Sequence, residues 1–196
     1  MNWMCGITTV SERGDMLQAT LQSCKVSGFL SEATDTLVIR PDGKDHRLGA
    51  FGNWVLVAWE MYLRNPAADR YAVFQDDVRL VKNLRQYLDA CQYPSGRFTK
   101  PKGYWNLFTF RDNERVVADG TKGWSGFRES VLRDGNTNLQ VGRGALALVF
   151  DREAVMTLLA CPGLVVHAQN EKRRIDGAVV DAMNIAGFRE YVHVPS

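Results

Sequence analysis

Short apolar segments alternate with segments of helical periodicity in the first half of this chain, and this alternation constrains the fold more than any other feature. Apolar and β-branched residues over 4–10, 36–39 and 70–74 predict three strands. Apolar residues at helical spacing over 17–24 and 51–62 predict one helix in each gap between those strands. A β-α-β-α-β order is typical of a mainly parallel sheet with helices on both faces.

The second half of the chain carries further strands and helices, so the same architecture is predicted to continue to its end. With 196 residues and no internal repeat or long linker, the chain is predicted to form one α/β domain over residues 1–196. Its central sheet is expected to be mixed, mostly parallel and flanked by helices. The other predicted elements are a turn at 41–43, a helix over 81–91, a strand over 104–110, a loop over 120–126, a strand over 145–150 followed by a helix through Leu159, a helix from Asp176 to Gly187, and a strand over 191–194.

Charge and cysteine content exclude several classes of protein. The net charge of +2 is too small to indicate a nucleic-acid partner by itself. The four cysteines are far apart and form no CxxC pair, which argues against a zinc site or a redox dithiol. No secretory signal and no apolar segment of about 20 residues is present. These features predict free thiols, a cytoplasmic location and no membrane span.

Two adjacent carboxylates, Asp76 and Asp77, follow directly after the third predicted strand. Ligands of parallel α/β sheets bind at the carboxyl ends of the strands, which is where this pair is expected to lie. A hard divalent cation would relieve the repulsion between the two carboxylates and could bridge to the phosphates of a nucleotide. The alternative interpretation is that one of them caps a helix that begins near Val78. The pair alone does not decide between these two roles.

Several motifs, taken in their order along the chain, resemble those of GT-A glycosyltransferases, and together they extend over nearly the whole sequence. The first position of that family's D-x-D motif is Gln75 here, so the motif is a variant. The motifs that carry the resemblance are Ile7–Val10 with Arg13, Gly52–Trp54, Val73–Val78, Trp105–Phe108, Gly142–Ala147, Phe150–Ala154, and Asp176–Gly177 with Asp181.

The resemblance implies a GT-A, Rossmann-like fold and a glycosyltransferase that takes a sugar from a nucleotide diphosphate-sugar donor. Uridine diphosphate (UDP) is the family's commonest nucleotide, and the implied cofactor is Mn²⁺ or Mg²⁺. By the same resemblance, Thr9, Arg13, Asp76 and Asp77 would hold the donor. Because Gln75 replaces the first aspartate, Asp77 becomes the expected direct metal ligand. Asp76 would then contact the ribose or the water shell of the metal.

Asp176 is the candidate catalytic residue, because a carboxylate at a helix start can point into a site at the sheet edge. An inverting glycosyltransferase needs a general base that takes the proton from the attacking acceptor hydroxyl. The alternative is a helix N-cap without a catalytic role. Asp181 lies about one and a half turns further along and is expected to be a surface residue. The acceptor stays open: a saccharide, a protein, a small metabolite or a modified nucleobase would each offer a hydroxyl.

Two other functions are compatible with the same sequence. A nucleotidyltransferase also uses metal-bound aspartates, but it usually has a Gly-rich signature with several basic residues after the first strand. Residues 8–15 contain one arginine and one glycine, which argues against it. A non-catalytic nucleotide-sugar-binding module is favoured by Gln75 and disfavoured by the presence of both aspartates.

Three features of the sequence leave more than one role open. Arg13 either pairs with a diphosphate, whose oxygens suit a guanidinium, or is an exposed residue at a helix start. The segment Gly142-Arg143-Gly144 allows close approach of the backbone to a ligand, and it equally suits a turn before a strand. Trp124 either stacks on a sugar ring or covers the core.

Overall fold

The structure is a computed structural model, with nine strands and six helices among the residues that it describes, and the predicted strands and helices occur in it in the predicted order. The described residues are 1–30, 37–43, 48–96, 102–108, 123–126, 130–131, 137–138, 144–170 and 175–194. The strands are β1 Trp3–Val10, β2 Leu37–Asp42, β3 Arg70–Gln75, β4 Gly103–Asn106, β5 Gly123–Gly126, β6 Ser130–Val131, β7 Thr137–Asn138, β8 Ala147–Asp151 and β9 Arg189–Val194. The helices are α1 Gly14–Ser27, α2 Gly49–Arg64, α3 Leu84–Ala90, α4 Arg152–Leu159, α5 Pro162–Asn170 and α6 Ile175–Ile185, and a 3₁₀ turn, Ser11–Arg13, precedes α1.

Seven of the described strands form one mixed sheet in the order β2-β1-β3-β8-β4-β9-β5. Strands β1, β2, β3, β4 and β9 run in one direction, whereas β8 and β5 run in the other. Strands β6 and β7 form a separate antiparallel pair. The predicted fold class, an α/β protein with a mixed, mostly parallel sheet flanked by helices, is therefore confirmed.

Side chains alternate between the two faces of the sheet, and each face is covered by helices. In β3, Tyr71 and Val73 pack on the face covered by α2, α4, α5 and α6. Ala72 and Phe74 pack on the opposite face, which α1 and α3 cover. This alternation is the period-two pattern of a pleated strand. Burial on both faces explains why the sequence of β3 is almost wholly apolar.

The helix ends agree with the stop signals that the sequence contains. Gly28 follows α1 with φ of 87°, and its N–H bonds to the carbonyls at the end of that helix. Gly187 follows α6 with φ of 79°. Both lie in the left-handed region that favours glycine. The helix predicted to reach Gly187 ends two residues before it, and the helix predicted over 17–24 continues to Ser27, just before Gly28.

Two predicted connections contain strands instead. Pro41 and Asp42, expected in a turn, belong to β2 and pair with Thr9 and Val10 of β1. A proline is tolerated there because β2 is at the edge of the sheet. Part of the predicted loop over 120–126 is strand β5, which pairs antiparallel with β9. The helix α5 was not predicted.

The remaining boundaries differ by a few residues. Helix α3 begins at Leu84, so Val81, with 67% exposure, precedes the helix that it was expected to begin. The described part of the strand predicted over 104–110 ends at Asn106, and residues 109–110 lie outside the described ones.

Two expectations from composition concern cysteines and membrane spans. All four cysteines are free, and Cys5 and Cys24 are buried as small apolar side chains. Burial raises the pKa of the Cys24 thiol to about 12, so this thiol stays protonated at neutral pH. Among the described residues, no helix combines the length and the apolar character needed to cross a bilayer.

Candidate functional site

The carboxyl ends of β1, β3 and β4 and the beginning of β8 lie at the same end of the sheet, which we call its carboxyl edge. Because β8 runs antiparallel to β3, its first residues lie beside the last residues of β3. The backbone N–H of Gln75 donates to the carbonyl of Leu146 across 2.9 Å, just before β8 begins. This edge is where ligands bind in parallel α/β sheets.

Asp76 is held at this edge by two side chains from the first strand and the turn after it. Its Oδ2 accepts a hydrogen bond from Thr9 Oγ1 at 2.8 Å. Its Oδ1 lies 2.6 Å from Arg13 Nη1. The side chain of Asp76 is 3% exposed, so this buried charge is both paired and hydrogen-bonded. The structure thus brings together three of the residues that the sequence assigned to the donor site.

Asp77 lies next to that cluster but faces solvent. Its side chain is 31% exposed, and its Oδ2 is 3.8 Å from Arg13 Nη2. Among the described residues, no group of three histidine, cysteine, aspartate or glutamate side chains could enclose a metal ion. A hard cation at this edge would therefore depend on the Asp77 carboxylate and on oxygens that a ligand supplies. Mg²⁺ is commonly bound in this way, through one or two carboxylates and substrate phosphates.

The backbone of the aspartate pair is fixed by a turn, not by a helix. Val78 N–H bonds to the carbonyl of Gln75 at 3.3 Å. The buried Thr20 hydroxyl of α1 lies 2.6 Å from the carbonyl oxygen of Asp76 and 3.0 Å from that of Val78. The next helix, α3, begins only at Leu84. The interpretation of Asp76 or Asp77 as a cap of a helix near Val78 is therefore wrong.

Gln75, the variant position of the motif, has a backbone partner. Its Nε2 donates to the carbonyl of Ala145 at 3.2 Å. The side chain therefore ties the end of β3 to the segment before β8. A carboxylate at this position could not donate that hydrogen bond.

Asp176 reaches the same edge from α6. Its Oδ2 accepts a hydrogen bond from the backbone N–H of Gly144 at 3.2 Å, and its Oδ1 accepts one from Gly177 N–H at 2.9 Å. Gly144 has φ of 92°, a conformation that favours glycine. The bond to Gly144 joins α6 to the segment that Gln75 also contacts. Asp176 and the aspartate pair therefore lie at one edge, on either side of the start of β8.

A buried amide, Asn106, connects this segment to a second carboxyl group. Its Nδ2 donates to the Gly144 carbonyl at 2.8 Å and to Glu190 Oε1 at 3.1 Å. Its Oδ1 accepts from Phe108 N–H at 3.0 Å. The conformation of Gly144, and with it the N–H offered to Asp176, thus depends on the end of β4.

Glu190 is a buried acid on β9 that the sequence interpretation missed. Burial raises its pKa to about 8, and the nearby carboxylate of Asp176 adds to the increase. Hydrogen bonds from Asn106 and Tyr104 oppose it. One feature of the sequence indicates that Glu190 is buried. It lies two positions before the apolar Val192, and residues two apart in a strand lie on the same face.

Replacing Glu190 by glutamine should flatten the dependence of stability on pH. An acid whose pKa is raised on folding holds a proton in the folded state while the unfolded chain has lost it. Wild-type stability should therefore fall as the pH rises from about 4.5 to about 8, by at most about 1.4 kcal/mol per pH unit. Urea unfolding between pH 5 and 9 measures this, with Glu153→Gln, which changes an exposed glutamate of α4, as the control. Equal slopes in wild type and Glu190→Gln would contradict the prediction.

The ends of β1 and β2 are fixed by two buried polar residues to which the sequence interpretation gave no individual role in the site. Asn53, at the start of α2, donates from Nδ2 to the carbonyls of Thr9 at 3.2 Å and Arg40 at 2.9 Å. Asp42 Oδ1 accepts from the backbone N–H of Leu48 at 3.0 Å. These bonds hold the strand that carries Thr9 against the start of α2.

Trp124 packs against two other aromatic side chains, those of Trp105 and His193. Its ring stacks on the buried ring of Trp105, with centroids 4.8 Å apart and planes at 18°. A T-shaped contact with His193 lies on its other side. Trp124 therefore covers the core. Gly142 and Arg143 lie outside the described residues.

Comparison with known proteins establishes no family. No protein-family model matches the chain. No curated protein matches it either. Among solved structures, the chain is similar to a putative glucose-1-phosphate thymidylyltransferase from Bacillus anthracis, determined in complex with a sucrose, with a TM-score of 0.48 and 11% identity. The match covers 97% of this chain and 86% of that chain.

Proposed function

We propose that this protein is a metal-dependent glycosyltransferase that moves a sugar from a nucleotide diphosphate-sugar, with UDP as the nucleotide, to a hydroxyl acceptor. The observation that carries the proposal is the cluster of Thr9, Arg13, Asp76 and Asp77 at the carboxyl edge of the sheet, with Asp176 at the same edge. One side of the edge offers groups suited to a diphosphate and its cation. The other offers a carboxylate suited to an acceptor.

On the donor side, Asp77 and Arg13 carry complementary charges. The exposed Asp77 carboxylate would hold Mn²⁺ or Mg²⁺ together with the donor phosphates. When bound, such a cation would offset the negative charge that grows on the departing diphosphate. The Arg13 guanidinium, 42% exposed, matches phosphate oxygens in geometry and charge. Asp76 positions that guanidinium, and Thr9 in turn holds the carboxylate of Asp76.

On the acceptor side, Asp176 would take the proton of the attacking hydroxyl. Its two hydrogen bonds, from Gly144 and Gly177, orient the carboxylate without a cationic partner among those contacts. As the oxygen of that hydroxyl bonds to the anomeric carbon from the opposite face, the bond to the departing nucleotide diphosphate breaks, and this direct displacement inverts the configuration. We therefore expect an inverted product, and a product with retained configuration would contradict this part of the proposal.

Calorimetric titration of UDP, with and without Mn²⁺, tests the donor site. Wild type should bind UDP in a Mn²⁺-dependent manner, and Asp77→Asn should weaken that binding about 100-fold, or about 2.7 kcal/mol, because the ligand carboxylate is lost. Asp69→Asn is a matched control: this exposed aspartate precedes β3 at the opposite edge of the sheet, and its carboxylate accepts from Asn2 N–H. The control should bind UDP like wild type.

The other outcomes of this titration would each change a part of the proposal. UDP binding that changes neither with Mn²⁺ nor with Asp77→Asn would show that no metal takes part in donor binding. Absence of UDP binding to wild type would overturn the assignment of a UDP donor. With binding established, release of UDP from a UDP-sugar in the presence of an acceptor indicates glycosyl transfer, whereas release of pyrophosphate from UTP and a sugar 1-phosphate indicates a nucleotidyltransferase. Binding without turnover across an acceptor panel would favour the non-catalytic module.

A further inference from the structure

One guanidinium, that of Arg13, faces both carboxylates of the aspartate pair. Its Nη1 is 2.6 Å from Asp76 Oδ1, and its Nη2 is 3.8 Å from Asp77 Oδ2. The second oxygen of Asp76 accepts from Thr9. Both oxygens of Asp76 are thus engaged with protein groups, and the side chain is 3% exposed. Each oxygen keeps a second lone pair, but a hydrated cation that approached this buried carboxylate would meet the guanidinium of Arg13.

Asp77 alone offers a cation an accessible carboxylate, and a positive charge already faces it. No third acidic, histidine or cysteine ligand completes a site with this pair in the described part of the chain. A small divalent cation gives up its water reluctantly, and one carboxylate rarely holds it without phosphate oxygens. The nearby guanidinium further lowers the affinity of Asp77 for a second positive charge.

We infer that Arg13 is the exchangeable counter-ion of the Asp76–Asp77 pair in the free protein, so that a divalent cation and a nucleotide diphosphate bind tightly only together. The diphosphate supplies the oxygens that the cation lacks, and it supplies negative charge with which Arg13 pairs instead of with Asp77. The exposure of Arg13, 42%, leaves its side chain room to change partners. The part of this inference that concerns the diphosphate rests on the proposed function.

Electron paramagnetic resonance of Mn²⁺ measures the cation directly, without any need for turnover. Wild type should bind Mn²⁺ weakly in the absence of UDP and about 5- to 150-fold more tightly in its presence. By linkage, Mn²⁺ must strengthen UDP binding by the same factor, which calorimetry measures independently. Arg13→Gln should gain Mn²⁺ affinity about tenfold in the absence of UDP, because the competing charge is gone. The same variant should bind UDP with Mn²⁺ about tenfold more weakly than wild type.

A matched variant and a double variant test whether the gain in Mn²⁺ affinity comes from the loss of the Arg13 charge beside Asp77. Arg64→Gln removes an exposed arginine at the end of α2, near the opposite edge of the sheet, and should change neither measurement. Adding Asp77→Asn to Arg13→Gln should abolish the gained Mn²⁺ binding. Glutamine at position 13 can still donate a hydrogen bond to the buried Asp76 carboxylate, and circular dichroism checks that the fold of the variant is kept.

Two results would overturn the inference while leaving UDP binding in place. The first is that free wild type and its UDP complex have the same affinity for Mn²⁺. The second is that Arg13→Gln gains no affinity for Mn²⁺. Absence of UDP binding in every variant is a different result, because it overturns the proposed function. The Mn²⁺ affinities of wild type and Arg13→Gln without UDP would then still decide whether Arg13 is the counter-ion.

Discussion

Asp176→Asn should lower turnover about 10³-fold while leaving the affinity for UDP unchanged. The asparagine side-chain oxygen can still accept the hydrogen bond from Gly144, so the shape of the edge is kept. What the variant loses is the ability to take a proton, and a positioned general base contributes about 10²- to 10⁴-fold to rate. Release of UDP from the UDP-sugar that wild type uses measures turnover, and calorimetry measures affinity.

Asp181→Asn is the control on the same helix, because it removes a carboxylate of α6 that the proposal gives no catalytic role. It should retain turnover within a few-fold of wild type. Asp176→Asn with unchanged turnover would refute the role of Asp176 as base, and loss of UDP affinity in that variant would instead indicate a binding or structural role. The result also separates an enzyme from a binding module, in which turnover is absent from the start.

Gly103→Ala should destabilise the protein by about 3 kcal/mol, the largest effect on stability that we expect from a single methyl group. Gly103 lies on β4 against β9, and a Cβ there would overlap the backbone carbonyl oxygen of Arg189. It would also lie 2.5 Å from ring atoms of Tyr191. A backbone oxygen in a paired strand cannot move aside without separating the two strands. For a chain of this size, the melting temperature should fall by about 6 to 12 °C.

Gly14→Ala is the matched control for that measurement. Gly14 has φ of −52° at the start of α1, and no atom beyond its chain neighbours and the backbone of its own helix lies within 4 Å of a Cβ built there. Alanine should therefore be tolerated, or should stabilise by about 0.5 to 1 kcal/mol, because it restricts the unfolded chain. Equal melting temperatures for Gly103→Ala and wild type would mean that β4 and β9 can separate without cost.

The local pattern of apolar residues in the sequence predicts most of the strands of the sheet and most of the helices. The strand β3 and the helix α2 were predicted nearly to their ends, because continuous apolar residues and helical spacing report burial directly. The position of Asp76 and Asp77 at the exit of β3 followed from the same reasoning, since only the end of one strand had to be located. The end of β2 and the strand β5 were misjudged because strand pairing overrode their turn-like composition.

The sequence by itself determined the α/β class, the order of its main elements and the edge at which the aspartate pair lies, because each of these depends on residues close together in the chain. Only the tertiary structure decided which groups those aspartates meet. Arg13 and Asp76 are 63 residues apart, and Asn106 and Glu190 are 84 apart. Such contacts leave no periodic signal, since they depend on which strands become neighbours in the sheet. The burial of Glu190 and the hydrogen bond from Gly144 to Asp176 arise in the same way, from strands and helices brought together by packing.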